Sequence, residues 1–401
     1  MNQSPLYRIH QSLSAKFTEV HGWEMPAHYG DPAAEHLAVR SNAGIMDMTH
    51  RGKVRVSGKD RTKFLQNILS QDINKLTPGN GGHAALLNTK GHMLAYMRIF
   101  SDEDSFLIDT EPGEADKIIQ ILNRYLFREN VKIEDVTLKH GLMTLQGPIS
   151  RDIISSTCGT DIKEMTDCSH INITINGLSC KVVRTAYTGE EGYDIYMSWD
   201  DMQTAWETIR STIISSKIPL SPPFSKGETF PPLVKGGEGG FEQGYSDRIT
   251  PFGHAAYNSL RIEAGIPLYS IDMDEDTIPI EANLDHAISY TKGCYVGQET
   301  IARINFKGHV NRILTGFSIE GDIIPVKNDR IYTVTENTEH DIGVITSACF
   351  SPTLNKSIAI GYLRIGYNEP GAQVHIDSKP HKISAVVTVI PFYKISKPQG
   401  D

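Results

Sequence analysis

Apolar positions follow two rhythms along the first half of the chain, one of period two and one of helical spacing. Val54 and Val56 alternate with polar neighbours and predict a strand from Lys53 that ends at Gly58. Phe64, Leu65, Ile68 and Leu69 then recur at helical spacing over 60–69. Two strands follow, over 83–87 and 93–100, joined by the turn Asn88-Thr89-Lys90-Gly91, and 106–108 continues the sheet. A helix over 114–126 places Ile118, Ile119, Leu122, Tyr125 and Leu126 on one face, and a short strand is predicted near 131–133. Strand, helix, two strands, helix, strand is the ferredoxin-like order. The order recurs downstream. A strand over 142–146 ends in Gly147-Pro148, a short helix covers 150–156, and strands cover 171–175, 180–185 and 193–197. Asp200 or Asp201 then caps a helix whose apolar side includes Met202, Trp206 and Ile209. Gly58 and Gly147 occupy equivalent strand-to-helix corners, so the pattern implies a duplicated α+β unit.

The flanks differ. Phe17 to Tyr29 reads as an irregular, aromatic-rich stretch in which Trp23, Met25 and Tyr29 suit a core. A helix over 32–40 begins at Pro32, with Asp31 as its cap. Residues 222–244 repeat prolyl pairs, Lys and Gly in two half-similar copies, a composition that buries no core and predicts a surface insertion. Those glycines make no phosphate loop, because no strand precedes them and no Gly-Lys-Ser/Thr follows. Beyond Gly308, short alternating runs at 313–319, 331–335, 343–348, 359–363, 373–376 and 384–389 predict a compact β-barrel or sandwich. The expected organisation is a core over 1–300, carrying the insertion, and a small β-barrel domain over 308–395.

Composition narrows the function classes. The 401 residues suffice for two or three domains, and 39 basic against 48 acidic residues give a net charge of −9, which argues against a broad nucleic-acid surface. No apolar run reaches the roughly 20 residues that span a bilayer, and Met1 to His10 lacks the apolar core of an export signal. No membrane association is expected, and a cytoplasmic location fits best. The five cysteines are scattered without a Cys-x-x-Cys pair, and the 15 histidines show no metal-ligand spacing, so no permanent metal is expected.

The densest chemistry lies in Lys292-Gly293-Cys294-Tyr295-Val296-Gly297-Gln298-Glu299. Its glycines allow a sharp exposed bend, and a nearby ammonium favours the thiolate, the reactive form of cysteine. Lys292 could lower the Cys294 pKa while Gln298 and Glu299 orient the thiol. Alternatively, Cys294 is a small packing residue and the three polar groups solvate a turn.

Several blocks together resemble one family, the glycine-cleavage T-protein superfamily. Gly22-Trp23-Glu24-Met25-Pro26, Glu35-His36 with Val39-Arg40, Gly44 through His50, and Val56 through Asp60 resemble its amino-terminal signature. Tyr187-Thr188-Gly189-Glu190-Glu191-Gly192-Tyr193 resembles its folate-contacting loop. Leu260 to Gly265 and Ile278 to Ala282 follow in order, and Gly343 to Pro352 with Pro391-Phe392-Tyr393 resemble its carboxy-terminal barrel. The resemblance implies an α+β fold, a duplicated ferredoxin-like folate-binding core plus a small C-terminal β-barrel, with tetrahydrofolate or a C1-substituted folate as cofactor. Glu190 becomes the leading pterin ligand, because a carboxylate can accept two parallel N–H bonds. Tyr187 could line the pocket. Arg261 could meet a folate carboxylate or pair inside the fold, the structural role being favoured, and His50 is read as a structural histidine.

Two departures bear on the branch. Aminomethyltransferases of this family carry an Asp-Asp pair where this chain has Ala95-Tyr96, and an Ala-Arg-Asp where it has Ala256-Tyr257-Asn258. Neither Ala95 nor Tyr96 can take up a proton at neutral pH, a function worth roughly 10²–10⁴-fold. Lys-Gly-Cys-Tyr-x-Gly-Gln-Glu instead resembles the YgfZ-type folate-binding branch, which implies iron–sulfur cluster assembly or repair through Cys294, with assembly proteins or cluster-dependent enzymes as partners. The alternative is a folate-dependent aminomethyltransferase or related C1 transferase, with a lipoyl carrier protein as partner. The amino-terminal arm with Trp23 looks more like the transferases.

Overall fold

The computed structural model describes residues 1–212, 249–335 and 338–394. The predicted insertion at 222–244 lies outside them. The first half of the core is a five-stranded antiparallel sheet in the spatial order Gly81–Leu87, Met93–Ser101, Ser105–Thr110, Gly52–Ser57, Lys132–Asp135. Helices Arg61–Ile68 and Ala115–Arg124 cover one face, burying Phe64, Leu65, Ile118 and Leu122 against Val54, Val56, Ala95 and Met97. This is the expected ferredoxin-like order with Gly81–Leu87 added as an edge strand.

The second half repeats the plan with one exchange. His170–Ile175, Leu178–Thr185, Gly192–Ser198 and His140–Gln146 are neighbours in that order, and helices Ser150–Cys158 and Met202–Ser211 pack on them around Trp206. The closing strand, however, is Gly44–Asp47, which precedes the first half in sequence and pairs antiparallel with Met143 to Gln146. Thr250–Pro251 then adds in parallel at the edge. The halves are thereby interlocked, which a reading of local periodicity cannot register. The corner glycines do correspond. Gly58 and Gly147 have φ of +103° and +131°, and a Cβ would lie 2.2 Å from the Asn130 carbonyl and 2.3 Å from the Asn42 carbonyl. Only glycine fits both the angle and the approach.

The amino-terminal arm departs from the expectation of an irregular stretch. Lys16–Val20 and Trp23–His28 form a hairpin, with Asn2–Gln3 parallel to its second strand. A bulge at Lys16/Phe17 breaks the alternation that would have marked a strand. The helix Pro32–Ser41 begins as predicted, the Asp31 carboxylate accepting from Ala33 N at 3.0 Å.

Beyond the core, six strands from Arg312–Ile319 to His381–Thr388 close a barrel around Phe317, Ile331, Ile345 and Ile376. Core and barrel meet along the helix His254–Glu263. Ile262 packs with Leu314, Ile358 and Ile360, and the Ser351 hydroxyl donates to Glu263 Oε1 at 2.5 Å. Among the described residues no helix is long and apolar enough to cross a membrane.

Candidate functional site

Charged residues on otherwise apolar strands converge where the two sheets of the core face each other. Asp109 ends Leu107-Ile108-Asp109, and Tyr196 follows Asp194-Ile195. Counted from their glycine corners, Asp109 and Tyr196 hold equivalent positions, opposite Lys53 and Leu142 respectively. The two touch, Tyr196 donating to Asp109 Oδ2 at 2.8 Å. Asp109 Oδ1 accepts from Arg51 Nη2 at 2.6 Å and Arg98 Nη2 at 2.8 Å. Arg98 Nη2 also donates to Asp194 Oδ2 at 2.7 Å, and the Tyr187 hydroxyl donates to the same oxygen at 2.9 Å. Burial alone would raise the Asp109 carboxyl, yet the two guanidiniums hold it well below the usual carboxylate range. Burial likewise keeps Tyr187 and Tyr196 protonated.

One atom of this cluster is unmatched. Asp194 Oδ1 is buried and has no hydrogen-bond partner. A buried carboxylate oxygen without a donor is costly, which makes it a prime candidate for a ligand contact.

Adjoining the cluster through Arg51 lies a cavity of about 500 Å³, within the range of small-molecule sites. Arg51, held by Glu111 at 2.7 Å, lines it together with His50, His254, Tyr257 and the amino-terminal hairpin. Tyr187 joins cavity to cluster: its ring packs edge-on to Tyr257 at 6.2 Å, and Arg51 and Arg98 lie 5.7 and 4.8 Å from its centroid. His50 and His254 contact each other at 4.9 Å, and His50 Nδ1 and His254 Nε2 lack partners. Burial pushes His50 well below its ordinary pKa and His254 down to about 4, so both imidazoles are neutral near pH 7. His50 therefore differs from the expected satisfied structural histidine.

The residues singled out from sequence separate into distinct places. Tyr187 alone belongs to the central cluster. Glu190 is buried elsewhere, accepting from Arg40 Nη1 at 3.0 Å, and Arg40 also pairs with Glu263 and lies over the Tyr393 ring. It ties the Thr-Gly-Glu loop to the barrel end of the chain. Arg261 is fully engaged inside the fold, donating to Asn258, Ile266 O, Asp272 and Ser347. Ala95 is a core residue. Tyr96, on the opposite face, contacts His83 Nδ1 at 2.7 Å and His286 Nε2 at 3.0 Å.

The Lys292–Glu299 stretch forms a surface loop, and the structure corrects the expected Lys292–Cys294 pairing. The Lys292 ammonium turns inward and donates to Gln66 O, Leu69 O and Gln71 O at 2.6–2.8 Å, capping the end of helix Arg61–Ile68. Cys294 is exposed. Gln298 and Glu299 open the helix Gln298–Lys307, so the segment is a helix start rather than a bend alone. Gly297 seats the loop, since a Cβ there would lie 2.5 Å from Asn88 O on the turn before strand Met93–Ser101. Replacing Lys292 with Met should leave buried carbonyls unpaired and cost about 2–4 kcal/mol, read as an earlier urea midpoint.

Sequence reasoning did not single out Arg51, Arg98, Asp109 or Asp194. The usable signal was a charge inside an apolar strand, as in Met97-Arg98-Ile99 and Tyr193-Asp194-Ile195, because such a charge must be paired or functional.

Comparison with known proteins agrees with this architecture. Residues 6–215 and 241–292 match the family model described as the GCVT N-terminal domain, and 312–394 match the glycine cleavage T-protein C-terminal barrel domain. An aminomethyltransferase of Caldanaerobacter subterraneus subsp. tengcongensis is 29% identical over 398 residues, covering 98% of this chain and 96% of the relative. One from Saccharopolyspora erythraea is 29% identical over 394 residues, covering 98% of each. The crystal structure of glycine cleavage system aminomethyltransferase T from Bartonella henselae superposes with a TM-score of 0.82 at 24% identity, covering 98% of both chains, which establishes the shared fold.

Proposed function

The chain belongs to the GCVT family of glycine cleavage T-proteins, and on that footing we propose that it binds a reduced folate in the central cavity and acts as a folate-dependent C1 transferase of the aminomethyltransferase type. The observation that carries the reading is the unpartnered, buried Asp194 Oδ1, in a cluster that shares Arg51 with a cavity of about 500 Å³. A pterin offers adjacent N–H donors, and a carboxylate is their natural acceptor. Tyr257, backed edge-on by Tyr187, supplies an aromatic wall for a flat ring, and Arg51 a cation on the cavity side. When bound, a reduced folate supplies the ring nitrogen that receives a one-carbon unit.

This chain's residues then have separable tasks. Tyr187 and Arg98 fix the Asp194 carboxylate through Oδ2, leaving Oδ1 to meet the ligand. Asp109 holds Arg51 and Arg98 in register from behind. The neutral His50–His254 pair offers unpartnered ring nitrogens on the wall, each able to accept or donate a hydrogen bond while the ring stays uncharged. The acids that line the cavity are Glu19 and Glu111, with Asp194 buried in the adjoining cluster, whereas the family's usual acidic positions are Ala95 and Tyr96. A lipoyl carrier bearing the aminomethyl group is the partner this reading requires.

A second reading, folate-dependent support of iron–sulfur cluster assembly, is favoured by one observation: Cys294 is exposed on a loop seated against the Asn88–Gly91 turn. One cysteine cannot ligate a whole cluster, so assembly proteins or client enzymes would have to supply further ligands. The deciding experiment assays the purified protein for methylene-tetrahydrofolate formation from an aminomethylated lipoyl carrier. A deletion strain complemented with wild type or Cys294→Ala is assayed in parallel for cluster-dependent enzyme activity. Product formation and full complementation by Cys294→Ala are expected. No product, with lost complementation in the variant, would replace the first reading by the second. Cys294→Ala should change stability by no more than about 0.5 kcal/mol, which thermal melting checks.

A further inference from the structure

We propose that His83, Asp167 and Cys168 form a binding site for a divalent transition-metal ion of the zinc class, built at the seam between the two halves of the core. His83 lies on the edge strand Gly81–Leu87 of the first sheet, and Asp167 and Cys168 immediately precede the edge strand His170–Ile175 of the second. The edges are fastened together, with His170 N donating to Gly79 O at 2.8 Å. Donors separated by more than 80 residues meet there, so linear spacing carries no trace of the site.

The donor set suits such an ion: an imidazole nitrogen, a carboxylate oxygen and a thiol sulfur. His83 Nε2 is 3.1 Å from Asp167 Oδ2, Cys168 Sγ is 3.7 Å from the same oxygen, and all three ligand atoms lie within 4.8 Å of one another. Zinc bonds of roughly 2.0–2.3 Å in tetrahedral array separate ligand atoms by roughly 3.3–3.7 Å. Two edges already fall close to that range, and the third need close by about 1 Å at most. Among the described residues, no other grouping of three such side chains meets the same distance limit.

Cys168 is held there by its backbone. It takes φ of +61°, a left-handed conformation rare for a residue with a Cβ, and its N–H is fixed to Arg184 O at 3.0 Å. The outer shell is also in place. Tyr96 OH bridges His83 Nδ1 at 2.7 Å and His286 Nε2 at 3.0 Å, and a metal-bound histidine needs such a partner on its second nitrogen. Without metal, the network closes with His83 Nε2–H donating to Asp167, Tyr96 donating to His83 Nδ1, and His286 Nε2–H donating to Tyr96. With metal, both imidazoles change tautomer: His83 binds through Nε2 and donates from Nδ1 to Tyr96, which donates to His286 Nε2. Metal–nitrogen, metal–oxygen and metal–sulfur bonds form, the thiol S–H breaks, and its proton leaves to solvent. Cys168 is buried, but the Asp167 side chain is 60% exposed, leaving an entry path and a fourth position for water.

Anaerobic titration of the purified full-length protein with Co²⁺ tests the proposal by absorption. Wild type should show tetrahedral cobalt d–d bands and a near-ultraviolet thiolate-to-cobalt band that saturate at one equivalent, and Zn²⁺ should displace both. Cys294→Ser should keep the thiolate band, and Cys168→Ser should lose it. Tyr96→Phe, an outer-shell change, should weaken metal affinity by roughly 10–100-fold, and Asp167→Asn, which removes a ligand at a largely exposed position where the fold should survive, by at least as much. Absence of the thiolate band in wild type, its persistence in Cys168→Ser, or its loss in Cys294→Ser would overturn the assignment. Unchanged affinity in Asp167→Asn would do the same even if Cys168→Ser failed to fold.

Discussion

Asp194→Asn is expected to weaken tetrahydrofolate binding by roughly 10–100-fold in titration calorimetry, the equivalent of about 1.5–3 kcal/mol for a charge-assisted hydrogen bond. The substitution preserves shape and replaces an oxygen with an amide, which can still meet Tyr187 but loses the negative charge at the unpartnered position. Arg98 retains Asp109 and Tyr196, so the fold should survive, and a melting curve taken alongside separates lost binding from lost structure. Glu190→Gln provides the contrast. Glu190 is occupied by Arg40 and lies in the network joining the Thr-Gly-Glu loop to Tyr393. Its replacement should lower the melting temperature while leaving folate affinity within about threefold, an amount near the limit of what a remote change transmits. Equal affinity of wild type and Asp194→Asn would remove Asp194 from the site. A large loss in Glu190→Gln alone would return the pterin contact to the residue favoured by sequence.

That contrast shows where sequence reasoning reached and where it stopped. Strand and helix positions in both halves, the equivalence of Gly58 and Gly147, and the barrel were legible because each depends on local periodicity or on a backbone angle that one residue type satisfies. Gly44–Asp47 closing the second sheet was not legible, since pairing across about 100 residues leaves no local mark. The candidate site divided along the same line. Tyr187 and Glu190 are legible through the loop motif, whereas Asp194 lies one residue beyond it on strand Gly192–Ser198, and only its missing partner at Oδ1 marks it out. Lys292 illustrates a different failure. Adjacency in sequence to Cys294 suggested a thiolate partner, whereas the long side chain reaches the helix end carbonyls at Gln66 and Leu69. A flexible four-carbon stem makes chain adjacency a poor guide to where the charge sits.

Asp109 should be the costliest single substitution in the core. It is fully buried and accepts from Arg51, Arg98 and Tyr196, so Asp109→Asn leaves two guanidiniums close together without their shared counter-charge. Removing one member of a buried ion pair costs about 3–5 kcal/mol. The expected readout is a fall in melting temperature of roughly 6–10 °C, given about 2 °C per kcal/mol for a unit of this size. Tyr196→Phe, which deletes one neutral donor and leaves both guanidiniums paired, should cost about 1.5–3 kcal/mol. The pH dependence follows in sign from the depressed carboxyl. A folded-state pKa below the unfolded value of about 3.8 contributes stability that is present above pH 4 and declines as the pH falls through the acid range below it. Wild type should therefore lose stability more steeply than Asp109→Asn between about pH 4 and pH 2, and the gap between their melting temperatures should narrow. A gap that stayed constant across that range would mean the carboxylate is not what holds Arg51 and Arg98 together, and the floor of the cavity would have to be explained by packing alone.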